Sequence, residues 1–376
     1  MVTQSLSSSV IAIPSVHQRL NTACPYFTMF PLEFPLARLA RARKGQWVLD
    51  PFCGRGTTMF AARLRGLNSV GIDASPVAAA IAAAKVARAD RIAVETLAIQ
   101  LLQTSPAPTS VPSGEFWEWA YHPKTLIEMC ALREQLANIA SDHEDAAVLR
   151  AIVLGILHGP LTKAVPTYLS NQMPRTYATK PNAAVKFWQT RAMRPPYVNV
   201  LDAVLRRIRY TLADVPREHG GDIYCGESSD VLQRLQHSFD WVVTSPPYFR
   251  MYTYMPDQWL RSWFLGGPPF VEYTTDNQLR HTSVDIFVSD LASVWASAAE
   301  RSNPQARMAI RFGALPSVDA KLSPENLLRR SLEESGRWKV TRVRDSGQPN
   351  SQARQSSQMG KAGTYADEVD VLARLI

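Results

Sequence analysis

Val48-Leu49-Asp50-Pro51-Phe52-Cys53-Gly54-Arg55-Gly56-Thr57-Thr58 reads, in order, as a buried strand, a glycine turn and the start of a helix. Gly54 and Gly56 let the backbone turn tightly and approach a ligand, and Thr57 and Thr58 open the helix. Asp50 falls at the C-terminal end of the strand, the edge where doubly wound sheets hold their ligands. Its carboxylate suits an ammonium group. The three-glycine dinucleotide spacing is absent, and no Lys follows the turn as a phosphate-binding loop requires. Nicotinamide binding and phosphoryl transfer are therefore disfavoured.

Outward from this turn the pattern continues as helix 57–64, strand 70–72 and an alanine-rich helix 77–87, the opening of a doubly wound α/β domain. Asp73 ends the second strand, where an acid can accept both hydroxyls of a ribose, although Asp and Ser75 also suit a helix N-cap. Sheet signals return later, at 223–225, 241–244, 308–312 and 338–343, with a final strand over 368–375 expected to run antiparallel. Helices are expected over 231–235 and 327–334, and a Ser-, Gln- and Gly-rich loop over 347–363. Glu227 follows the third strand and is a candidate for an adenine amino group, in competition with Asp222 and Asp230.

A second chemical signal sits on the strand 241–244: Thr244-Ser245-Pro246-Pro247-Tyr248. Two prolines fix the backbone, Ser245 offers an oxygen, and Tyr248 offers a stacking face, a set that fits a planar ring bearing an amine. No cysteine lies in this loop to attack a ring carbon.

Between the two signals the strand-helix alternation breaks. Pro106, Pro108 and Pro112 mark a loop, helices are expected over 123–140 and 143–157, and a polar segment runs through Arg209. Lys163, Arg175, Lys180, Lys186, Arg191 and Arg194 alternate there with Tyr168, Tyr177, Phe187 and Trp188. Cations for phosphates and rings for unstacked bases suit a nucleic-acid surface, while the same rings also suit the core of an insertion. The chain divides on this reading into 1–45, 46–103, an inserted and mainly helical 104–215, and 216–376. Its net charge of +8 favours a polyanionic partner. Cys24, Cys53, Cys130 and Cys225 lack metal-ligand spacing, so no metal site is expected, and the thiols read as reduced. No apolar stretch is long enough to span a bilayer, and a soluble, cytoplasmic and nucleoid-associated protein is expected.

Together the two loops resemble those of S-adenosylmethionine-dependent DNA amino-methyltransferases of the cytosine-N4 type. The resemblance covers residues 24–90 and 222–376. It implies a seven-stranded methyltransferase sheet, S-adenosylmethionine as cofactor, and double-stranded DNA as partner, with a cognate restriction endonuclease possible in such systems. It implies cofactor contacts from Asp50, Pro51, Phe52, Gly54, Gly56, Thr57, Thr58, Asp73, Glu227 and Thr244, with Phe30 closing over the methionine end. Ser245, Pro246, Pro247 and Tyr248 would hold a flipped cytosine for direct methyl transfer. Two features depart from the usual pattern: Glu227 stands where the family commonly has Asp, and the cofactor loop precedes the catalytic loop. Adenine-N6 enzymes usually carry Asp or Asn where Ser245 stands, and transfer-RNA guanine-N2 enzymes share the motif order but carry Asp in that loop. A non-catalytic DNA-binding module is the remaining alternative.

Overall fold

The computed structural model describes residues 15–26, 30–161, 165–173, 180–216, 220–249, 258–272, 283–314, 323–347 and 367–376. Among these residues seven strands form one sheet: β1 (Trp47–Asp50), β2 (Asn68–Asp73), β3 (Gly221–Cys225), β4 (Phe239–Thr244), β5 (Ser302–Ala314), β6 (Trp338–Gly347) and β7 (Asp367–Leu375). Their order is β3-β2-β1-β4-β5-β7-β6. The first five run parallel, and β7 enters antiparallel between β5 and β6. This is the expected seven-stranded, doubly wound sheet. Strand order reverses between β1 and β4, which places the ligand crevice over the C-terminal ends of those two strands.

Strand alternation sends side chains to two cores. Val48, Trp241, Val243 and Ala309 face one apolar cluster, whereas Leu49, Val242, Met308 and Ile310 face the other. On the first side lie α1 (Glu33–Arg38), α2 (Thr57–Leu64), α3 (Pro76–Val86), α4 (Arg91–Gln103), α5 (Glu115–Ala120), α6 (Pro123–Ala137), α7 (Glu144–Ile156), α8 (Pro181–Gln189), α9 (Val200–Thr211) and α11 (Trp259–Phe264). On the second lie α10 (Ser228–Arg234), α12 (Val284–Glu300) and α13 (Pro324–Ser335).

The first helices start where their caps dictate. Ser75 Oγ accepts the Ala78 N–H, and Pro76 occupies the first turn, where its missing N–H costs nothing. Asp90 accepts the Ile92 N–H at 2.8 Å, so the chain breaks after Ala87 and starts α4 as a new helix. The expected strands recur with longer bounds, the helix expected over 57–64 recurs as Thr57–Leu64, and those expected over 123–140 and 143–157 end earlier, as Pro123–Ala137 and Glu144–Ile156. The expected polar segment before Arg209, however, contains α8 and α9. Val200, Val204 and Ile208 recur every fourth residue and bury one face of α9, while Arg206 and Arg209 are exposed.

Residues 104–215 share one core with the sheet rather than standing apart from it. Gly155 of α7 lies against the Ala23 carbonyl, where an added Cβ would sit 2.1 Å away. Trp188 and Tyr121 are fully buried, and Phe116 and Trp117 pack on Trp259. Phe187 and Trp119 instead carry cations on their faces, Arg191 at 4.2 Å and Arg194 at 4.0 Å. Lys180 and Lys186 are both exposed. Lys163, Arg175, Tyr177 and the loop beyond Gly347 lie outside the described residues. Among the described residues no helix is long and apolar enough to cross a membrane, and no group of acids, histidines and cysteines forms a metal cluster. Cys24, Cys53 and Cys130 are buried free thiols, and Cys225 is an exposed one.

Candidate active site at the switch point

The glycine turn joins β1 to α2 across the end of β2. Gly54 and Gly56 both take left-handed backbone angles, φ 50° and 77°, which side chains with a Cβ avoid. At Gly56 an added Cβ would also meet Ala82 of α3 at 3.0 Å, so the turn needs glycine there on two counts. Asp73, at the end of β2, accepts the Gly54 N–H and the Ser75 N–H, each at 2.9 Å. It thereby holds the turn and the start of α3 together. Each of its oxygens keeps a second lone-pair site open. Burial pushes the Asp73 carboxyl up to about 6, the Ser75 and Gly54 N–H bonds pull it down, and Glu227 adds to the rise.

Asp50 is fully buried. Its Oδ1 accepts the Phe52 N–H at 3.1 Å and the Thr244 hydroxyl at 2.6 Å. Its Oδ2 is buried without a hydrogen-bond partner. Burial raises this carboxyl to about 7, opposed by Thr244, Thr58 and Phe52 and reinforced by Asp73. A buried oxygen with no donor is an acceptor site prepared for a group the protein itself does not supply. An ammonium fits it in charge and in hydrogen-bonding sense.

The Thr244 hydroxyl ties the two loops together. Residues 194 positions apart meet because β1 and β4 are parallel neighbours whose ends lie side by side. Thr58 adds a second tie, its hydroxyl donating to the Val243 carbonyl at 3.2 Å. Beyond Thr244 the loop leaves Ser245 and Pro247 partly exposed and Pro246 buried. Tyr248 is held on its edge: its hydroxyl donates to Glu368 of β7 at 2.7 Å. Its ring meets the Phe312 ring at 5.7 Å in a T-shaped contact and lies over Gly313, where a Cβ would come within 2.8 Å of ring carbons.

The remaining site residues surround these loops. Phe52 packs edge-on against Trp295, and Thr57 and Thr58 are buried in the first turn of α2. The Pro51 carbonyl accepts the Ser228 hydroxyl, which ties the turn to α10. Glu227 precedes α10 on the exposed rim, its carboxyl raised by partial desolvation and by Asp230 and Asp290. Phe30 is partly buried and meets Phe34 of α1 at 5.4 Å in a T-shaped contact. Arg38 of the same helix reaches Asp370 of β7 at 3.1 Å, where Arg311 of β5 also binds at 2.7 Å.

Sequence reading passed over a buried set of cations beneath the turn. Arg55 has a buried Nε without a partner, and Lys85 donates to the Asn21 amide oxygen at 3.1 Å. Arg261 donates to Gln258 at 2.6 Å and to the Leu154 carbonyl at 3.1 Å. Burial lowers Arg55 to about 10, and burial followed by Arg55 pushes Lys85 well below the usual lysine range. Nearby His158 is driven down to about 3 by burial and then by Arg261. One signal was available in the sequence: Lys85 is the one charged residue in the otherwise apolar helix PVAAAIAAAKV.

The chain is 24% identical over 258 residues to the Type II methyltransferase M.BsoBI of Geobacillus stearothermophilus, covering 59% of this chain and 48% of that protein. It thus spans about half the length of that curated relative. Among solved structures, TrmN from Thermus thermophilus aligns with a TM-score of 0.37 and 11% identity, over 96% of this chain and 53% of the other. The rRNA methyltransferase aviRa from Streptomyces viridochromogenes aligns with a TM-score of 0.35 and 12% identity, over 99% and 94%. Residues 12–84, which run through β1, the glycine turn and Asp73, match the N6 and N4 methyltransferase family described as DNA methylase.

Proposed function

We propose that this chain is an S-adenosylmethionine-dependent DNA methyltransferase acting on an exocyclic base amine, and that the amine is N4 of a flipped cytosine. The observation that carries this reading is the 2.6 Å Thr244–Asp50 hydrogen bond, which joins an acid-bearing glycine turn to the Ser-Pro-Pro-Tyr loop at the strand-order reversal. The match to DNA methylases over residues 12–84 supports the same reading.

S-adenosylmethionine supplies an electrophilic methyl group on a sulfonium. The chain's residues bind and orient. Asp50 Oδ2 accepts the cofactor's ammonium, the Asp73 oxygens accept ribose hydroxyls, Glu227 faces the adenine amine, and Phe30 covers the methionine end. Pro51, Phe52, Gly54, Gly56, Thr57, Thr58 and Thr244 shape the backbone around them. Ser245 and the Pro246 carbonyl accept the two N–H groups of the cytosine amine, which turns its lone pair away from ring delocalisation and toward the methyl group. Pro247 stiffens the loop, and Tyr248 stacks on the base outside the duplex. As the new N–CH3 bond formed, the sulfonium S–CH3 bond would break, the sulfur would leave as a neutral thioether, and the amine would release one proton to water.

Two experiments test this reading. Calorimetry should show S-adenosylmethionine binding that Asp73→Ala weakens at least about tenfold, the loss of a charged hydrogen bond; no binding by folded wild type overturns the cofactor site. Digestion of methylated duplex to nucleosides should yield N4-methylcytosine. N6-methyladenine as the product overturns the choice of base, and methylated guanine in RNA with unlabelled DNA overturns the choice of nucleic acid.

Gly313→Ala probes the seat of Tyr248. The added methyl displaces the ring by about an ångström, so methyl transfer should fall on the order of 10- to 100-fold while cofactor affinity holds. Steady-state kinetics beside calorimetry checks this. Unchanged turnover would show that the ring's position does not matter.

A further inference from the structure

The three outer strands of the sheet are apolar on one face, and on the other they carry a row of cations flanking Ala309 and Leu372, which pack into the first core. Met308, Ile310, Phe312, Val371, Ala373 and Trp338 point into the core under α12 and α13. The antiparallel register fixes what lies on the opposite face, because directly paired residues share a side. Arg307 pairs with Arg374, and Arg374 with Lys339; two residues along, Leu372 pairs with Arg342; two further, Asp370 pairs with both Arg311 and Arg344. Arg307, Lys339, Arg342, Arg344 and Arg374 are exposed. Arg307 also lies over the Trp241 ring at 5.4 Å.

The acids in these rows do not neutralise the face. Asp370 is buried between Arg38 and Arg311, and Glu368 is buried with the Tyr248 hydroxyl on it. The crowding is felt at Arg38, whose guanidinium is lowered by burial, raised in part by Asp370, and lowered further by Arg344, Arg311 and Arg342. A sheet face left to solvent ordinarily mixes polar residues of both signs. Like charges facing one another across adjacent strands repel, so this arrangement is destabilising unless a polyanion meets it.

The rows also lead somewhere. Gly313, in contact with Tyr248, and Arg307 are six residues apart on β5, about 20 Å of strand. The cationic face therefore begins beside the catalytic loop and extends away from it, a span that meets about six phosphates of one DNA strand.

We propose that this face of β5, β7 and β6 is a docking surface for the phosphate backbone of duplex DNA flanking the target base. The proposal rests on the reading of the chain as a DNA methyltransferase and adds the place where the duplex lies. Its contacts are to phosphates, so it sets affinity and salt dependence, not the recognised sequence.

The test is the triple variant Arg307→Gln, Lys339→Gln, Arg374→Gln, with binding to a duplex of about 30 base pairs of arbitrary sequence titrated against NaCl. Circular dichroism and a melting curve establish that the variant is folded. Affinity should fall at least tenfold at low salt, and the slope of log K against log salt should become shallower by about 2 to 3, since each lost phosphate contact removes about 0.9. The control Arg329→Gln, Arg330→Gln removes two charges from α13, across the sheet from this face, and should leave the slope unchanged. An unaltered slope in the triple variant, or an equal loss in the control, overturns the proposal. A slope that changes only with double-stranded RNA also overturns it and assigns the face to RNA. If wild type binds duplex through this face yet methylates none, the inference stands and the methyltransferase reading falls.

Discussion

Asp50→Asn should stabilise the ligand-free protein at pH 8 while weakening S-adenosylmethionine binding at least tenfold. The Asp50 carboxyl is fully buried, and burial lifts it from 3.8 to about 7. A carboxyl with a raised folded value favours the folded state fully below its unfolded value near 4, and that contribution is lost as pH rises through about 7. Wild-type stability should therefore decline between about pH 4 and pH 7 by on the order of 4 kcal/mol from this group, at about 1.4 kcal/mol for each pH unit between the unfolded and folded values. Asparagine keeps an oxygen for the Thr244 hydroxyl and the Phe52 N–H and carries no charge, so the variant should lack this decline. The cost falls on the cofactor, whose ammonium selects the ionised carboxylate. Wild-type affinity should rise with pH up to about 7 and then level, and the variant's should stay flat and low. Thermal melts and calorimetry from about pH 5 to pH 8 check both halves; parallel stability profiles, or undiminished affinity in Asp50→Asn, would refute the assignment.

Ser245→Ala and Tyr248→Ala should each lower methyl transfer with little change in cofactor affinity. Loss of one hydrogen bond or one stacked ring at the base corresponds to about 1 to 3 kcal/mol, or roughly 5- to 150-fold in rate. Tyr248→Phe separates the two functions of that side chain: it keeps the ring over Gly313 and removes the 2.7 Å bond to Glu368. Its effect should be smaller than that of Tyr248→Ala and should appear as a weaker response of a fluorescent base analogue to flipping. Single-turnover kinetics with full activity in both alanine variants would remove the Ser-Pro-Pro-Tyr loop from the chemistry.

Local signals made much of the architecture legible. A left-handed glycine, a strand of consecutive apolar residues and a helix cap act over a few residues, so the glycine turn, α2, α3 and β4 follow from short stretches alone. The last strand was legible as a strand for the same reason, whereas its place between β5 and β6 is set by pairing across the sheet. Segments with mixed signals were not. Arginines masked the four-residue spacing of α9, and α12 went unread although Phe287, Leu291, Val294 and Ala298 repeat at helical spacing and are buried.

What the chain decides by itself is which residues carry chemistry: Asp50, Asp73 and the Ser-Pro-Pro-Tyr loop are marked by residue type and by their place at strand ends. Tertiary structure alone decides how they are coupled. Thr244 reaches Asp50 across 194 residues and Tyr248 reaches Glu368 across 120, because strand order sets which ends are neighbours and no local pattern encodes that order. The same holds for the cationic face. Arg307, Lys339 and Arg374 are scattered charges along the chain, and only the register of β5, β7 and β6 aligns them on one side of a sheet.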